Sequence, residues 1–122
     1  MPDKLMIVMV NTDPGNSSEM GAPFFQATVA AAMDYEVEVI MTGRAGELAR
    51  KGFAEKLLAH EGNNKTIYDF IKEAHDAGAV FKVCTPTLEI WGDDLIPEIS
   101  ETVGAAYIIS EAMSGNVVTF TY

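Results

Sequence analysis

Cysteine is almost absent from this chain: one sulfhydryl, Cys84, stands among 122 residues. A single thiol excludes an intrachain disulfide and fits a reducing compartment. Cations are also scarce. Eight Lys and Arg against 18 Asp and Glu leave a formal net charge of -10 and a pI of about 4.4. That balance argues against nucleic acid or an anionic membrane as partner, since both need a basic face. An anionic substrate would need a local positive site, which directs attention to Arg44, Arg50 and Lys51; each otherwise reads as solvated surface charge.

Long apolar runs are missing too. Nothing approaches the ~20 residues needed to span a bilayer. Leu5 to Val10 is too short for the core of a signal peptide. The turn-like Asn11-Thr12-Asp13-Pro14-Gly15 follows it in place of a cleavage site. The expectation is a soluble, cytoplasmic protein. Several catalytic signatures are absent as well. There is no GxxxxGK[ST], no GxGxxG between a strand and a helix, and no serine nucleophile elbow. Gly43-Arg44-Ala45-Gly46 therefore reads first as turn geometry. His60 and His75 lack metal-ligand spacing with each other or with Cys84, so no metal is expected. His75 reads as solvated, and His60 falls in an ambiguous stretch. Asp93-Asp94 reads as surface.

What is present is an alternation of apolar runs and helical patterns. Hydrophobic residues make up 48% of the chain, and the length suits one domain, residues 1–122, able to bury a core. Leu5 to Val10 reads as a strand buried on both faces. Gly21 to Met33 reads as a helix, with Ala22, Phe25, Val29 and Met33 recurring at helical spacing and Ser17 or Ser18 as cap. Tyr35 to Met41 reads as a strand, and Glu47 to Lys51 as a short helix ended by Gly52. Phe53 to Gly62 is ambiguous, with Asn63-Asn64 as punctuation. The clearest helix is Thr66 to Ala77, on the stripe Ile67, Phe70, Ile71 and Ala74, with Asn64 or Thr66 as cap and Gly78 as stop. Ala79 to Cys84 reads as a strand. Thr87 to Trp91, a helical piece around Ile96 to Glu101, a short strand at Ala105 to Ile109 and a last strand at Val117 to Thr121 complete the chain. The pattern predicts a three-layer α/β domain around a mostly parallel five-stranded sheet.

In open α/β sheets, sites form beyond the carboxyl ends of the strands. Three loops meet there: Asn11 to Met20, Thr42 to Gly46, and Cys84 to Thr87. Cys84 ends a strand and precedes the helix-start signal Thr85-Pro86-Thr87, where backbone N–H groups and the helix dipole favour a thiolate. It is a candidate nucleophile. The alternative is a small buried hydrophobe. Asn11, Thr12, Arg44, Thr85 and Thr87 are candidates for the surrounding pocket. Trp91 either roofs it or packs in the core or against another subunit.

Three segments carry a resemblance. They are the run from Val37 through Thr42-Gly43-Arg44-Ala45-Gly46 to Gly52, the strand Gly78 to Cys84, and the closing Val117-Val118-Thr119-Phe120. With the opening Leu-Met-Ile-Val-Met-Val strand, they make the chain similar to the DsrE/DsrF-like family of small sulfur-relay proteins, which includes the TusD-type chains. The resemblance implies a single α/β domain assembled as trimers or hexamers. It also implies that Cys84 carries sulfur as a persulfide, or as a thiosulfonate, and passes it to a partner thiol without any metal or organic cofactor. Donor and acceptor would be proteins or small sulfur compounds. With one cysteine in the chain, an accepting thiol must come from another molecule. The functional expectation is a sulfur carrier or sulfurtransferase. Its rivals are a non-catalytic oligomeric module that binds a ligand or partner, and a thiol redox sensor; a hydrolase stands further off.

Overall fold

The computed structural model describes residues 3–58 and 64–122. Five strands form its centre: β1 (Lys4–Met9), β2 (Glu36–Met41), β3 (Val80–Cys84), β4 (Ile99–Val103) and β5 (Val117–Thr121). All pair in parallel, in the order β4-β3-β2-β1-β5. Four helices connect them: α1 (Gly21–Ala32), α2 (Ile67–Ala77), α3 (Thr85–Trp91) and α4 (Ala105–Ala112). Three 3-10 segments, Ser17–Glu19, Gly43–Ala49 and Ala54–Lys56, lie in the loops.

The near-continuous apolar β1 and β2 are buried because helices cover both sheet faces. Successive side chains point to opposite faces. Ile7, Met9, Val39, Met41, Phe81 and Val83 meet α1, α2 and the Gly43–Ala49 segment in the larger core. Met6, Val8, Ile40 and Val103 meet Tyr107, Ile108 and Ala112 of α4 in a smaller one. Each fully buried large side chain contributes about 1.5–3 kcal/mol relative to exposure, so the larger core holds most of the fold's stability. The helix on the stripe Ile67, Phe70, Ile71 and Ala74 forms as expected, with all four buried. Thr66 caps it, accepting from the Asp69 amide while Asp69 accepts from the Thr66 amide. Gly78, at φ 120°, ends it.

Five local expectations are corrected. The helix at Gly21 forms, but its core face is Pro23, Phe24, Ala27 and Ala31. The expected stripe of Ala22, Phe25, Val29 and Met33 points outward. Apolar residues ring this helix, so periodicity alone could not choose the buried side. Its N-cap position is Met20, with no side-chain cap; Ser17 and Ser18 fall in the preceding 3-10 segment. The helix expected at Glu47 to Lys51 is instead a 3-10 segment beginning earlier, at Gly43.

The helical piece around Ile96 to Glu101 is not formed: Ile99–Val103 is β4. As an edge strand it exposes Ser100, Glu101 and Thr102, so no apolar run marks it. The strand expected at Ala105 to Ile109 is helix α4. Its Tyr-Ile-Ile run suggests a strand, yet Tyr107, Ile108 and Ala112 dock on the sheet at helical spacing. His60 and Asn63 lie outside the described residues.

Candidate functional site

The site is built on the end of β3. Lys82 in this strand reaches the Tyr107 hydroxyl of α4 at 2.9 Å. Cys84, two residues further on, therefore projects to the same, α4-covered face. It is 7% exposed and pairs in register with Val103 of β4. Its extended backbone, φ -75° and ψ 137°, makes it the N-cap residue of α3. Pro86 has no amide hydrogen, so Thr85 and Thr87 supply the N–H groups of the first turn beside the thiol.

The connections give this position its shape. α3 leaves β3 toward the α1–α2 side, where Leu88 joins the larger core. α4, entered from β4, covers the opposite face. Adjacent connections that diverge in this way open a crevice at the carboxyl end of a parallel sheet. Cys84 stands at that divergence.

The other expected site residues fall into two groups. Thr85 and Thr87 adjoin Cys84. The Thr85 hydroxyl donates to the Val103 carbonyl at 3.1 Å, tying the start of α3 to the end of β4. Thr87 is buried, and its hydroxyl has no hydrogen-bond partner among the described residues. Its methyl group lies so close to Gly46 that a Cβ there would sit 2.2 Å away. Asn11, Thr12 and Arg44 lie on the β1–β2 side instead. β1 is two strands from β3, about 10 Å at the usual spacing. The Asn11 amide donates to the Tyr122 carbonyl at 2.9 Å, and Thr12 is buried. Arg44 is exposed, with its guanidinium 3.7 Å from Asp13. Trp91 is half-buried, and its indole N–H donates to the Gly43 carbonyl at 2.9 Å, which locks α3 to the loop after β2. His75 is exposed, 3.9 Å from Asp76.

A buried polar network under α4 escaped sequence reasoning. Lys4 donates to Glu38 at 2.6 Å and also bonds Glu111. Lys82 lies 2.9 Å from Glu101 and 3.4 Å from Glu38. The Tyr107 hydroxyl donates to both Glu38 oxygens, at 2.7 and 2.8 Å. Burial pulls each ammonium down, but the carboxylate and phenol partners outweigh it and hold Lys4 and Lys82 above their ordinary values. Burial pushes Glu38 up, yet the bonds from Lys4 and Tyr107 prevail and lower it. Burial and the bond to Glu38 together raise Tyr107 against the opposing bond from Lys82. The available signal was one charge of each sign inside two apolar strands, Glu38 and Lys82. A buried charge must be paired.

A model of the DsrE/DsrF-like family matches residues 4–116. The chain belongs to the DsrE/DsrF-like family. Among solved structures, this family member is similar to the YchN protein of E. coli, at TM-score 0.75, with 12% identity over the whole of both chains. It is also similar to a conserved protein of unknown function from Bacteroides thetaiotaomicron, at TM-score 0.62 and 15% identity, over 98% of this chain and 95% of that one. At these identities the likeness is one of fold. No curated protein matches the chain in sequence. Among the described residues no helix is long and apolar enough to cross a membrane.

Proposed function

We propose that this DsrE/DsrF-like protein is a sulfur carrier that holds sulfane sulfur on Cys84. The observation that carries the reading is the placement of the chain's sole thiol: at a strand end, at the start of α3, and where the connections from β3 and β4 diverge. In the loading step the Cys84 thiolate attacks the terminal sulfur of a persulfide or polysulfide donor. A Cys84 S–S bond forms, the donor's S–S bond breaks, and the donor thiolate leaves with the electron pair. With thiosulfate the leaving group is sulfite. In the unloading step an acceptor thiolate attacks the outer sulfur and Cys84 departs as thiolate. The cycle needs no metal or external oxidant.

Thr85 and Thr87 flank the thiol, and their amides suit a developing negative charge on sulfur. Asn11, Thr12 and Arg44 belong to the approach a donor takes from the β1 side of the same sheet end. The acceptor is a second molecule, because the chain has no other cysteine. Burial of Cys84 keeps a loaded sulfur from bulk reductant. It equally suits a second reading, in which the thiol only packs and the protein is a non-catalytic binding module.

Intact mass after incubating the reduced protein with polysulfide or thiosulfate separates the two. The carrier gains sulfur mass, reverses with reductant, and loses this behaviour in Cys84→Ser. An unchanged mass with every donor, together with slow alkylation of Cys84, leaves the binding module. Peroxide sensitivity without sulfur uptake would make it a redox sensor.

A further inference from the structure

α3 is lightly held. Of its seven residues only Thr87 is buried, whereas α2 buries Ile67, Phe70, Ile71 and Ala74. Thr85, Pro86, Glu89 and Ile90 face solvent. The one side chain that α3 does bury is poorly served. The Thr87 hydroxyl, on a residue 2% exposed, has no hydrogen-bond partner among the described residues. A buried hydroxyl without a partner favours any state that lets water reach it. The Thr87 methyl also meets Gly46 so closely that its seat exists only because Gly46 has no side chain.

Two hydrogen bonds hold α3 down, one at each end. At the first residue the Thr85 hydroxyl donates to the Val103 carbonyl at 3.1 Å. Val103 is the register partner of Cys84, so this bond lies across the strand end that carries the thiol. At the last residue the Trp91 indole N–H donates to the Gly43 carbonyl at 2.9 Å. Directly beyond it stands Gly92, at φ 91°, with open space where a Cβ would be. The chain is then pinned again. The Lys51 amide donates to the Asp94 carbonyl at 2.8 Å, and the Ile96 amide to the Ala49 carbonyl at 2.9 Å. α3 is thus a short segment between a fixed strand and a fixed loop, with a glycine at one junction to absorb a change of backbone angle.

We propose that α3 is a flap over Cys84, latched by Thr85 and Trp91 and pivoting at Gly92, whose opening admits the partner's thiol. At 7% exposure the sulfur is out of reach of a thiolate carried on another protein, and thiol exchange depends on access. Opening breaks two hydrogen bonds and hydrates the orphaned Thr87 hydroxyl, which offsets part of the cost of the latches. Local opening of this kind belongs to elements with few buried contacts. The purpose of the motion rests on the reading of Cys84 as the sulfur-bearing residue; the motion itself is measured apart from sulfur.

Alkylation of Cys84 by a bulky maleimide, in the reduced and folded full chain at pH 7, reads the open population when the flap moves faster than the reagent reacts. Trp91→Phe removes the indole donor and is expected to raise the rate about five- to tenfold, the factor one ordinary hydrogen bond supplies. Thr87→Val removes the orphaned hydroxyl, keeps the shape, and is expected to lower the rate about fivefold. Both variants are expected to alkylate like the wild type once unfolded in urea. The chain has one tryptophan, and acrylamide quenching of Trp91 is expected to fall in Thr87→Val. If Trp91→Phe fails to fold, Thr85→Val, which removes the other latch, is expected to act in the same direction. A folded Trp91→Phe no faster than the wild type, or a Thr87→Val no slower, would overturn the flap. Intact mass after polysulfide keeps the two readings apart. Sulfur uptake with alkylation blind to both substitutions leaves the carrier and removes the flap. The expected alkylation pattern without sulfur uptake leaves the flap and removes the carrier.

Discussion

Replacing Glu38 by Gln tests whether the buried network holds α4 to the sheet. Glu38 receives Lys4, Lys82 and the Tyr107 hydroxyl. Its side chain and those of both lysines are each under 10% exposed. Removing one partner of a buried ion pair costs about 3–5 kcal/mol, because the other charge is left uncompensated. Here each ammonium keeps a second carboxylate, Glu111 for Lys4 and Glu101 for Lys82. Glu101 is largely solvated, so its rescue is partial. The expected cost is therefore about 2–3 kcal/mol.

At roughly 3–5 °C per kcal/mol for a chain of this size, Tm should fall by about 6–15 °C. Urea unfolding followed by circular dichroism at pH 7 measures the free energy directly. The double variant Glu38→Met with Lys82→Met should recover part of it, because the orphaned charge goes with its partner. A loss below about 0.5 kcal/mol, the size of an exposed pair, would refute the claim that this network is buried and coupled.

The same network sets a pH dependence of known sign. Glu38 is lowered in the folded state, so its contribution is full above the ordinary carboxylate range and is lost as pH falls through its folded value. Lys4 and Lys82 are raised. Their contribution is full below the ordinary lysine range and is lost as pH climbs through their folded values. Stability should form a plateau between these limits, and Glu38→Gln should flatten the acid limb.

Other substitutions probe the elements around Cys84 and beyond. Gly46→Ala should destabilise by about 1–3 kcal/mol through overpacking, since the new methyl meets the Thr87 methyl at 2.2 Å. Thr87→Ser, which removes that methyl, should restore much of the loss, and a double-mutant cycle by urea unfolding reads the coupling. Thr66→Ala removes one half of the capping box and should cost about 1 kcal/mol, measured the same way. Cys84→Ser should leave stability within about 1 kcal/mol while abolishing sulfur loading.

The helix on Ile67, Phe70, Ile71 and Ala74 was legible because one face alone is apolar and both ends carry stop signals, Thr66 and Gly78. The strand ending in Cys84 and the helix after it were legible for a similar reason: an apolar run stops at Thr-Pro-Thr. β4 and α4 were misread as each other's type. Ser100-Glu101-Thr102 conceals an edge strand, while Tyr107-Ile108-Ile109 imitates one. At α1 the helix was visible and its orientation was not, because Phe24 and Phe25 are equally apolar.

For the site, the sequence located Cys84, Thr85 and Thr87 in one turn of chain, where adjacency guarantees proximity. It also placed Asn11, Thr12 and Arg44 at the same end of the sheet. Only the strand order showed that Asn11 and Thr12, after β1, stand two strands away and Arg44, after β2, one.

Local patterning by itself determined the α/β class, the parallel sheet and the position of the thiol at a strand end, because strand burial, helix capping and chain adjacency are short-range effects. Tertiary structure decided the rest. Which strand is next to which, which side of α1 is buried, and which helices leave β3 and β4 toward opposite faces all depend on contacts between segments tens of residues apart. The pairing of Lys4, Glu38, Lys82 and Tyr107 shows this most plainly. Each is an isolated polar residue along the chain, and only the stacking of β1, β2 and β3 beneath α4 brings their charges within hydrogen-bond reach.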